Sequence, residues 1–233
     1  MSKPTLLVIG HVAELSLDRL QESADAHGLA LQVVRPALGE PLPADPEEHV
    51  GVVVLGGPQS AYHVEQHTYL ADEVDFIASA HRAGVSILGI CLGSQLLAVA
   101  LGGEALPGDT GLEYGFIDVT PIGEVGDDVA GRHFSFHSDT FRLPEGATLL
   151  AVTDRYPQAW RLDNSLALQF HPELDRAGVE ALLDVEDEKL TRFGIDLDIL
   201  RKENAEEMRA PHDGVRLIDR WIARHAVRPD HFR

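Results

Sequence analysis

Cys91, the single cysteine of the 233-residue chain, is the residue whose surroundings best suit covalent chemistry. It stands between Gly89 and Gly93, after an apolar run at residues 86–89 and before a helical stretch at residues 96–101. A Gly-x-Cys-x-Gly segment between a strand and a helix is typical of a nucleophile elbow, where the backbone turns sharply. Free N–H groups and the positive dipole end of the helix favour the thiolate. We therefore interpret Cys91 as a nucleophile; the alternative is a small buried hydrophobic residue in a turn.

A candidate base follows a later apolar run. His171 and Glu173 come directly after a predicted strand at residues 166–170. If that strand joins the sheet beside the elbow, His171 can take the proton of the thiol, and Glu173 can fix the imidazole tautomer. Because the chain has 12 histidines, this prediction depends on the strand and on the nearby carboxylate.

The sequence Gly-Gly-Pro ends another apolar run, at residues 50–55, and contains Gly57. In a doubly wound sheet, the carboxyl ends of neighbouring strands face one crevice. The backbone N–H groups of Gly57 and Leu92 could therefore converge on a developing negative charge and form an oxyanion hole. Gly-Gly-Pro is also a common turn, so this prediction rests on Cys91.

The elements that must position these residues alternate between strand and helix. Short apolar runs at residues 5–9, 50–55 and 86–89 predict strands buried on both faces of a parallel sheet. A helical stretch between the last two runs has Leu70 and Ile77 on its apolar face and Glu73 on its polar face. The pattern predicts an α/β fold with a mainly parallel, doubly wound sheet flanked by helices.

The second half of the chain changes character. Brief β-rich pieces between about residues 111 and 170 predict added antiparallel strands. Residues 174–227 are an acidic helical elaboration, whose last predicted helix buries Val215, Ile218, Trp221 and Ile222. We expect one domain over residues 1–233, with a catalytic core at about residues 5–173. Residues 228–233 are predicted to be a loose tail.

Composition limits the possible ligands and partners. Nineteen basic residues against 38 acidic ones give a net charge of -19, which would repel nucleic acid. One cysteine excludes an internal disulfide and a multi-cysteine zinc site, and the histidines lack paired ligand spacing, so we predict neither a metal nor a cofactor. The N-terminal apolar run is too short for a signal peptide and no run reaches membrane-spanning length, which predicts a cytoplasmic protein without a membrane contact.

Three blocks around Gly57, Cys91 and His171 occur in the order found in class I (triad) glutamine amidotransferases, and residues 50–173 resemble that family. The likeness is greatest to stand-alone relatives of the GMP synthase glutaminase domain. The resemblance implies a flavodoxin-like fold with added antiparallel strands. It also implies that Cys91 attacks the γ-carboxamide of glutamine to form a thioester and release ammonia, with His171 moving protons and Glu173 orienting it. Gln95 stands at the family's substrate-contacting position.

A further segment, containing His137, Ser138 and Asp139, resembles the family loop that contacts the amino-acid head of the substrate, usually His-Gly-Asp. Ser138 replaces the glycine, and a residue with a Cβ adopts positive φ less readily. The substrate could therefore be held differently than in a strict glutaminase, and some γ-glutamyl peptidase relatives also lack this glycine. A polar turn between strands is the alternative interpretation of these residues.

Several functions are compatible with these residues. The first is a glutaminase that passes ammonia to a separate synthetase, since no Ser-Gly-Gly-x-Asp-Ser phosphate loop is present in the sequence. The second is a free-standing γ-glutamyl peptide or amine hydrolase. A silent binding subunit of the same fold is ranked below them, because the Cys, His and Glu are all present. A more distant cysteine hydrolase or chaperone-like protein is also ranked below, because such proteins generally lack the His-Pro-Glu block that follows the late strand here.

Overall fold

A mixed β-sheet organises the chain. The computed structural model describes residues 3–63, 66–126, 128–185, 187–209 and 213–226. The strands within them are β1 (Thr5–Ile9), β2 (Ala30–Val34), β3 (Gly51–Val54), β4 (Ser86–Ile90), β5 (Glu104–Pro107), β6 (Glu113–Pro121), β7 (Gly131–His137), β8 (Asp139–Arg142), β9 (Thr148–Val152), β10 (Pro157–Leu162) and β11 (Ser165–Leu168). Nine of these form one sheet in the order β2-β1-β3-β4-β11-β10-β9-β6-β7, and β5 pairs with β8 separately.

Seven α-helices occur in the described residues. They are α1 (Asp18–Ala26), α2 (Tyr69–Arg82), α3 (Leu92–Ala100), α4 (Arg176–Val185), α5 (Asp187–Arg192), α6 (Leu197–Glu207) and α7 (Asp213–Trp221). A π-helical turn, Ile222–Ala226, follows α7. No helix in these parts of the chain is long and apolar enough to cross a membrane. The predicted tail at residues 228–233 lies outside the described residues.

The sheet is parallel from β2 through β1, β3 and β4 to β11. The alternating pattern predicted β1, β3 and β4 as parallel strands, whereas β11 was expected among the antiparallel strands and is parallel to β4 because it lies beside it in the sheet. Helices α1 and α7 pack on one face of this half, and α2 and α3 pack on the other. Because both faces are covered, every residue of β3 and β4 is buried. The predicted mainly parallel architecture is therefore confirmed.

The remaining strands are antiparallel, which was also predicted. The sequence did not predict β7, because its buried residues include the polar side chains of His133, Ser135 and His137. These side chains interrupt the apolar pattern of a buried strand. Helices α4 to α6 pack against β6 and β7 and share a core with Phe134 and Phe136. The acidic C-terminal helices thus complete a core behind these two strands.

Two predicted helix faces were partly wrong. Glu73 of α2 is completely buried, beside Leu70 and Ile77, although its charge predicted a solvated position. Its burial depends on a partner from β1's carboxyl end, which helical periodicity does not reveal. Val215 of α7 is 38% exposed, whereas Ile218 is buried as expected. The buried face of α7 is centred on Leu217, Ile218 and Trp221.

Candidate active site

Cys91 occupies a strained turn between β4 and α3. Its φ is +52° and its ψ is -110°, a backbone conformation that residues with a side chain rarely adopt. The turn is held by two hydrogen bonds: Cys91 N donates to Leu168 O at 2.8 Å, and Gly93 N donates to Leu55 O at 3.2 Å. A Cβ at Gly93 would overlap the carbonyl oxygen of Val54. Glycine is therefore needed there by the close approach of α3 to β3.

His171 and Glu173 form a buried pair beyond the end of β11. His171 Nδ1 lies 2.8 Å from Glu173 Oε1, and both residues are only 4% exposed. Burial lowers the pKa of His171, but the negative charges of Glu173 and of a Cys91 thiolate outweigh it, so the pKa is raised. The other ring nitrogen, Nε2, is buried and makes no hydrogen bond within the described parts of the chain.

Gly56 lies against both candidate catalytic residues. A Cβ at this position would stand 2.9 Å from His171 Cε1 and 3.3 Å from Cys91 Cβ. This shared contact places the thiol-bearing elbow and the imidazole at one site. The parallel register of β11 with β4, in which Leu168 pairs with Ile90, explains why the residues after these strands meet.

Strand β7 forms a wall of this site that the sequence did not predict. His171 N donates to Phe134 O at 2.8 Å, and the Cys91 thiol donates to Phe136 O at 3.9 Å. Cys91 is therefore only 8% exposed. No motif marks these carbonyl groups, because any residue type supplies the same backbone oxygen.

The two predicted oxyanion-hole donors have free N–H groups. Among the described residues, neither Gly57 N nor Leu92 N donates a hydrogen bond. Leu92 is the first residue of α3 and follows Cys91 directly, while Gly57 follows the glycine that touches Cys91 and His171. Both groups can therefore serve as donors near the thiol.

A second buried His–Glu pair lies behind Gly56, and the sequence analysis did not find it. His11 Nε2 is 2.8 Å from Glu73 Oε2, and His11 Nδ1 is 3.2 Å from Gly56 O. Both side chains are 0% exposed. The one available signal was the position of His11, which follows Gly10 at the carboxyl end of β1.

Gln95 does not lie on a helix surface. It is 2% exposed, and its Nε2 donates to Gln169 Oε1 at 3.4 Å. The alternative interpretation, a solvated helix-surface amide, was therefore wrong. This amide lies on α3 one turn after Cys91, and its contact with a substrate stays a prediction.

The segment with His137 and Ser138 is a turn between β7 and β8, braced by a third His–Glu pair. His137 Nε2 lies 3.0 Å from Glu113 Oε2, and His137 Nδ1 lies 2.9 Å from Asp139 O. Glu113 also accepts hydrogen bonds from Thr153 and Gln158. Burial raises the pKa of Glu113, but the hydrogen bonds from His137, Thr153 and Gln158 and the charge of His137 outweigh burial, so the pKa lies below its ordinary value.

Asp139 connects this turn to the loop that follows β3 and contains Gly57 and Ser60. The Asp139 carboxylate accepts hydrogen bonds from Ser60 Oγ at 2.6 Å and from the Tyr62 hydroxyl at 3.2 Å. Ser138 O accepts from Gly108 N at 2.8 Å. Ser138 does not have positive φ, so serine fits here without backbone strain. Because the carboxylate of Asp139 already accepts two hydrogen bonds, its observed role is to hold this turn against the segment that contains Ser60 and Tyr62. A contact with substrate would come in addition.

Together, the predicted residues supply the parts of a covalent amide hydrolysis. They are a thiol at a helix N-terminus, an imidazole beside a carboxylate, and two free N–H groups in the segments next to them. This set can attack a carbonyl carbon, stabilise the resulting oxyanion and protonate a leaving amine.

Comparisons with known proteins identify the family. The family model "Glutamine amidotransferase class-I" matches residues 20–179. A glutamine-hydrolysing GMP synthase from Prochlorococcus marinus is 34% identical over 133 residues, which are 53% of this chain and 24% of that protein. A gamma-glutamyl-L-1-hydroxyisopropylamide hydrolase from a Pseudomonas species is 31% identical over 147 residues, which are 55% of this chain and 49% of that protein.

A solved structure extends the likeness to almost the whole chain. The crystal structure of a glutamine amidotransferase from Thermotoga maritima superposes with a TM-score of 0.86 and 27% identity, covering 98% of this chain and 100% of that one. By contrast, the match spans about a quarter and about half of the lengths of the two curated relatives above. The structural likeness therefore includes the C-terminal helices, which lie beyond the residues that the family model matches.

Proposed function

Because the chain belongs to the class I glutamine amidotransferase family, we propose that it is a cysteine amidase that hydrolyses the γ-amide of glutamine to glutamate and ammonia. The observation that carries this proposal is that Cys91 and His171 both border the space where a Cβ at Gly56 would lie, while Glu173 holds the imidazole from its other side. The strained elbow supports it further, because such strain persists only where the surrounding structure enforces it.

In the first half of the proposed reaction, the Cys91 thiolate attacks the γ-carbonyl carbon and a C–S bond forms. The carbonyl π electrons move to oxygen, where the N–H groups of Gly57 and Leu92 stabilise the negative charge. His171 Nε2 then gives its proton to the amide nitrogen, the C–N bond breaks, and ammonia leaves a γ-glutamyl thioester on Cys91.

In the second half, His171 takes a proton from water, and the resulting hydroxide oxygen attacks the thioester carbon. The C–S bond breaks, the new γ-carboxyl group gives its proton to the released ammonia, glutamate leaves, and the thiolate is restored beside a protonated His171. Glu173 stabilises the imidazolium in both halves, since its carboxylate faces Nδ1 at 2.8 Å. We assign the binding of the amino-acid head of the substrate to Gln95 and to the turn at His137, Ser138 and Asp139.

A γ-glutamyl amine or peptide is the second candidate substrate. Ser138 favours this alternative, because it stands where the family usually has glycine. The Pseudomonas relative, named a gamma-glutamyl amide hydrolase, matches 55% of this chain. The same Cys91, His171 and Glu173 would act, and the leaving group would be an amine in place of ammonia.

A separate synthetase is the partner that the glutaminase version would require. The GMP synthase relative matches through only 24% of its own length, so its other regions have no counterpart in the match. Under this version, ammonia would pass from Cys91 to a synthetase on another polypeptide.

The proposal is tested by incubating the purified protein with L-glutamine and, separately, with a γ-glutamyl alkylamide, while glutamate release is followed. We expect release from at least one substrate, and its loss in Cys91→Ser by at least about a thousandfold. Release from glutamine identifies a glutaminase, and release from the alkylamide alone identifies the second candidate. No release from either by the wild-type protein would contradict the proposed hydrolase and favour the silent binding subunit.

A further inference from the structure

We propose that His11 and Glu73 are positioning residues that hold the Gly56–Gly57 peptide so that Gly57 N–H points into the oxyanion hole. This inference rests on the proposed function, because it assigns a task within the proposed amide hydrolysis. The two residues come from β1's carboxyl end and from α2, and neither belongs to the triad of Cys91, His171 and Glu173.

The hydrogen bonds of His11 determine where its protons lie. Nε2 faces a carboxylate oxygen of Glu73 at 2.8 Å, and Nδ1 faces the carbonyl oxygen of Gly56 at 3.2 Å. A carbonyl oxygen only accepts, so Nδ1 must carry a proton to bond it. The Nε2 contact then needs one further proton, shared between the imidazole and the carboxylate. With that proton on either partner, Nδ1–H donates to Gly56 O.

This hydrogen bond fixes a peptide plane. The carbonyl of Gly56 and the N–H of Gly57 belong to the same peptide group, and in a trans peptide they point in opposite directions. A carbonyl held towards His11 therefore directs Gly57 N–H away from His11. Since a Cβ added at Gly56 would meet Cys91 and His171, we infer that the N–H points to the side of the peptide where the oxyanion would form.

The packing around His11 removes the space for another loop conformation. A Cβ at Gly57 would stand 2.5 Å from His11 Cβ, so the loop lies directly on the histidine. Gln59 Nε2 donates to His11 O at 3.2 Å and closes the loop over it. Together these contacts hold the glycine peptide from the side opposite the thiol.

The burial of the pair argues against a role in stability alone. His11 and Glu73 are 0% exposed as side chains, and removing such a pair from water costs free energy that packed apolar residues would not require. Glu73 otherwise occupies a helix face made of Leu70, Phe76 and Ile77. A hydrophobic residue would fit that face, but it would leave the buried Nε2 of His11 without a hydrogen-bond partner.

The decisive comparison uses two variants of similar shape. In a Glu73→Gln background, His11→Asn keeps an N–H donor at the place of Nδ1, while His11→Leu has the same branching at Cγ, is bulkier and has no donor. The neutral Gln avoids leaving a buried charge without a partner. Both variants are assayed for kcat and KM on the substrate that the wild-type protein hydrolyses, for the rate of Cys91 alkylation by iodoacetamide, and for Tm.

We expect kcat of the His11→Leu variant to fall about 10- to 100-fold below that of the His11→Asn variant. KM and the alkylation rate should stay similar in the two, because the thiol and His171 are untouched. Equal kcat values in the two variants, or losses that follow Tm or the alkylation rate, would overturn the positioning role.

A second readout does not depend on activity. In a ¹H–¹⁵N spectrum of the histidine rings near neutral pH, assigned by the signals lost in His11→Asn, we expect Nδ1 of His11 to carry a proton. An unprotonated Nδ1 would overturn the inference even if the protein hydrolyses glutamine. The two failures can be told apart. If the wild-type protein hydrolyses neither substrate, the proposed function fails. If Nδ1 carries no proton, the hydrogen bond from His11 to Gly56 O is refuted, whatever the activity.

Discussion

The backbone N–H of Cys91 donates to the carbonyl of Leu168 at 2.8 Å, which joins the nucleophile elbow to the strand that leads to His171. This bond continues the parallel pairing of β4 with β11. Because the two chain segments leave the sheet side by side, the thiol and the imidazole are positioned by the sheet and not by flexible loops. The consequences for catalysis and stability can be tested one residue at a time.

The first prediction concerns Glu173. Burial lowers the pKa of His171, and the negative charge of Glu173 raises it. Glu173→Gln removes that charge, so we expect the pKa of His171 to fall. A smaller fraction of His171 would then carry the proton that the leaving amine needs, and kcat should decrease by about 10²- to 10⁴-fold. The pH dependence of kcat and of Cys91 alkylation measures both effects. Glu104→Gln, which changes an exposed carboxylate paired with Arg142, is the control. An unchanged alkylation profile would contradict the proposed link between Glu173 and His171.

The second prediction concerns Gly56. In Gly56→Ala, the new Cβ would press on His171 Cε1 from 2.9 Å and on Cys91 Cβ from 3.3 Å. We expect these side chains to separate and kcat to fall about 10- to 100-fold, since small displacements of catalytic groups are costly. Steady-state kinetics and the melting temperature test this together. A variant with wild-type kcat would show that the contact does not constrain the catalytic pair.

The third prediction concerns the stability of the elbow. In Gly93→Ala, the Cβ would overlap the carbonyl oxygen of Val54, so α3 could not approach β3. We expect the free energy of unfolding to fall by about 3 kcal/mol or more, as measured by urea denaturation. Gly28→Ala is the matched control, because nothing lies within 4 Å of its Cβ and only the φ of +71° is unfavourable, a cost of about 1 kcal/mol. Similar losses in both variants would contradict the packing argument.

The fourth prediction concerns acid stability. Burial lowers the pKa of His133 to about 4 from an ordinary value of 6.5. A group with a lowered pKa in the folded state stabilises the fold above the unfolded pKa and loses that contribution as pH falls towards the folded pKa. As the pH falls from 6.5 to 4, protonation of His133 in the unfolded state should therefore lower the free energy of unfolding by up to about 3 kcal/mol.

His133→Phe tests this contribution, since an aromatic ring can still stack on Phe170, whose ring centre is 4.0 Å from that of His133. We expect the free energy of unfolding of the variant to fall less steeply than that of the wild type over this pH range. Parallel pH profiles for the two proteins would mean that His133 is not the group that titrates.

Much of the candidate site was predictable because its signals are local. The apolar run before Cys91 predicted a buried parallel strand, and the spacing of glycines around Cys91 predicted a sharp turn. The run before His171 predicted a strand but not its direction, since it was expected among the antiparallel strands and pairs in parallel with β4. These features depend on the propensities of adjacent residues, which a sequence displays directly. Glu73 shows the limit of such reasoning, because its charge predicted exposure and its partner His11 lies 62 positions away.

The sequence by itself determined the strands on either side of the elbow and predicted Cys91, His171 and Glu173 as nucleophile, base and orienter. Only the tertiary structure decided that Gln95 is buried, that β7 forms a wall over Cys91, and that His11 reaches Gly56. The physical reason is that these contacts depend on strand order and on backbone groups. A carbonyl oxygen or an N–H is the same in every residue, so its role is fixed by what the fold brings next to it.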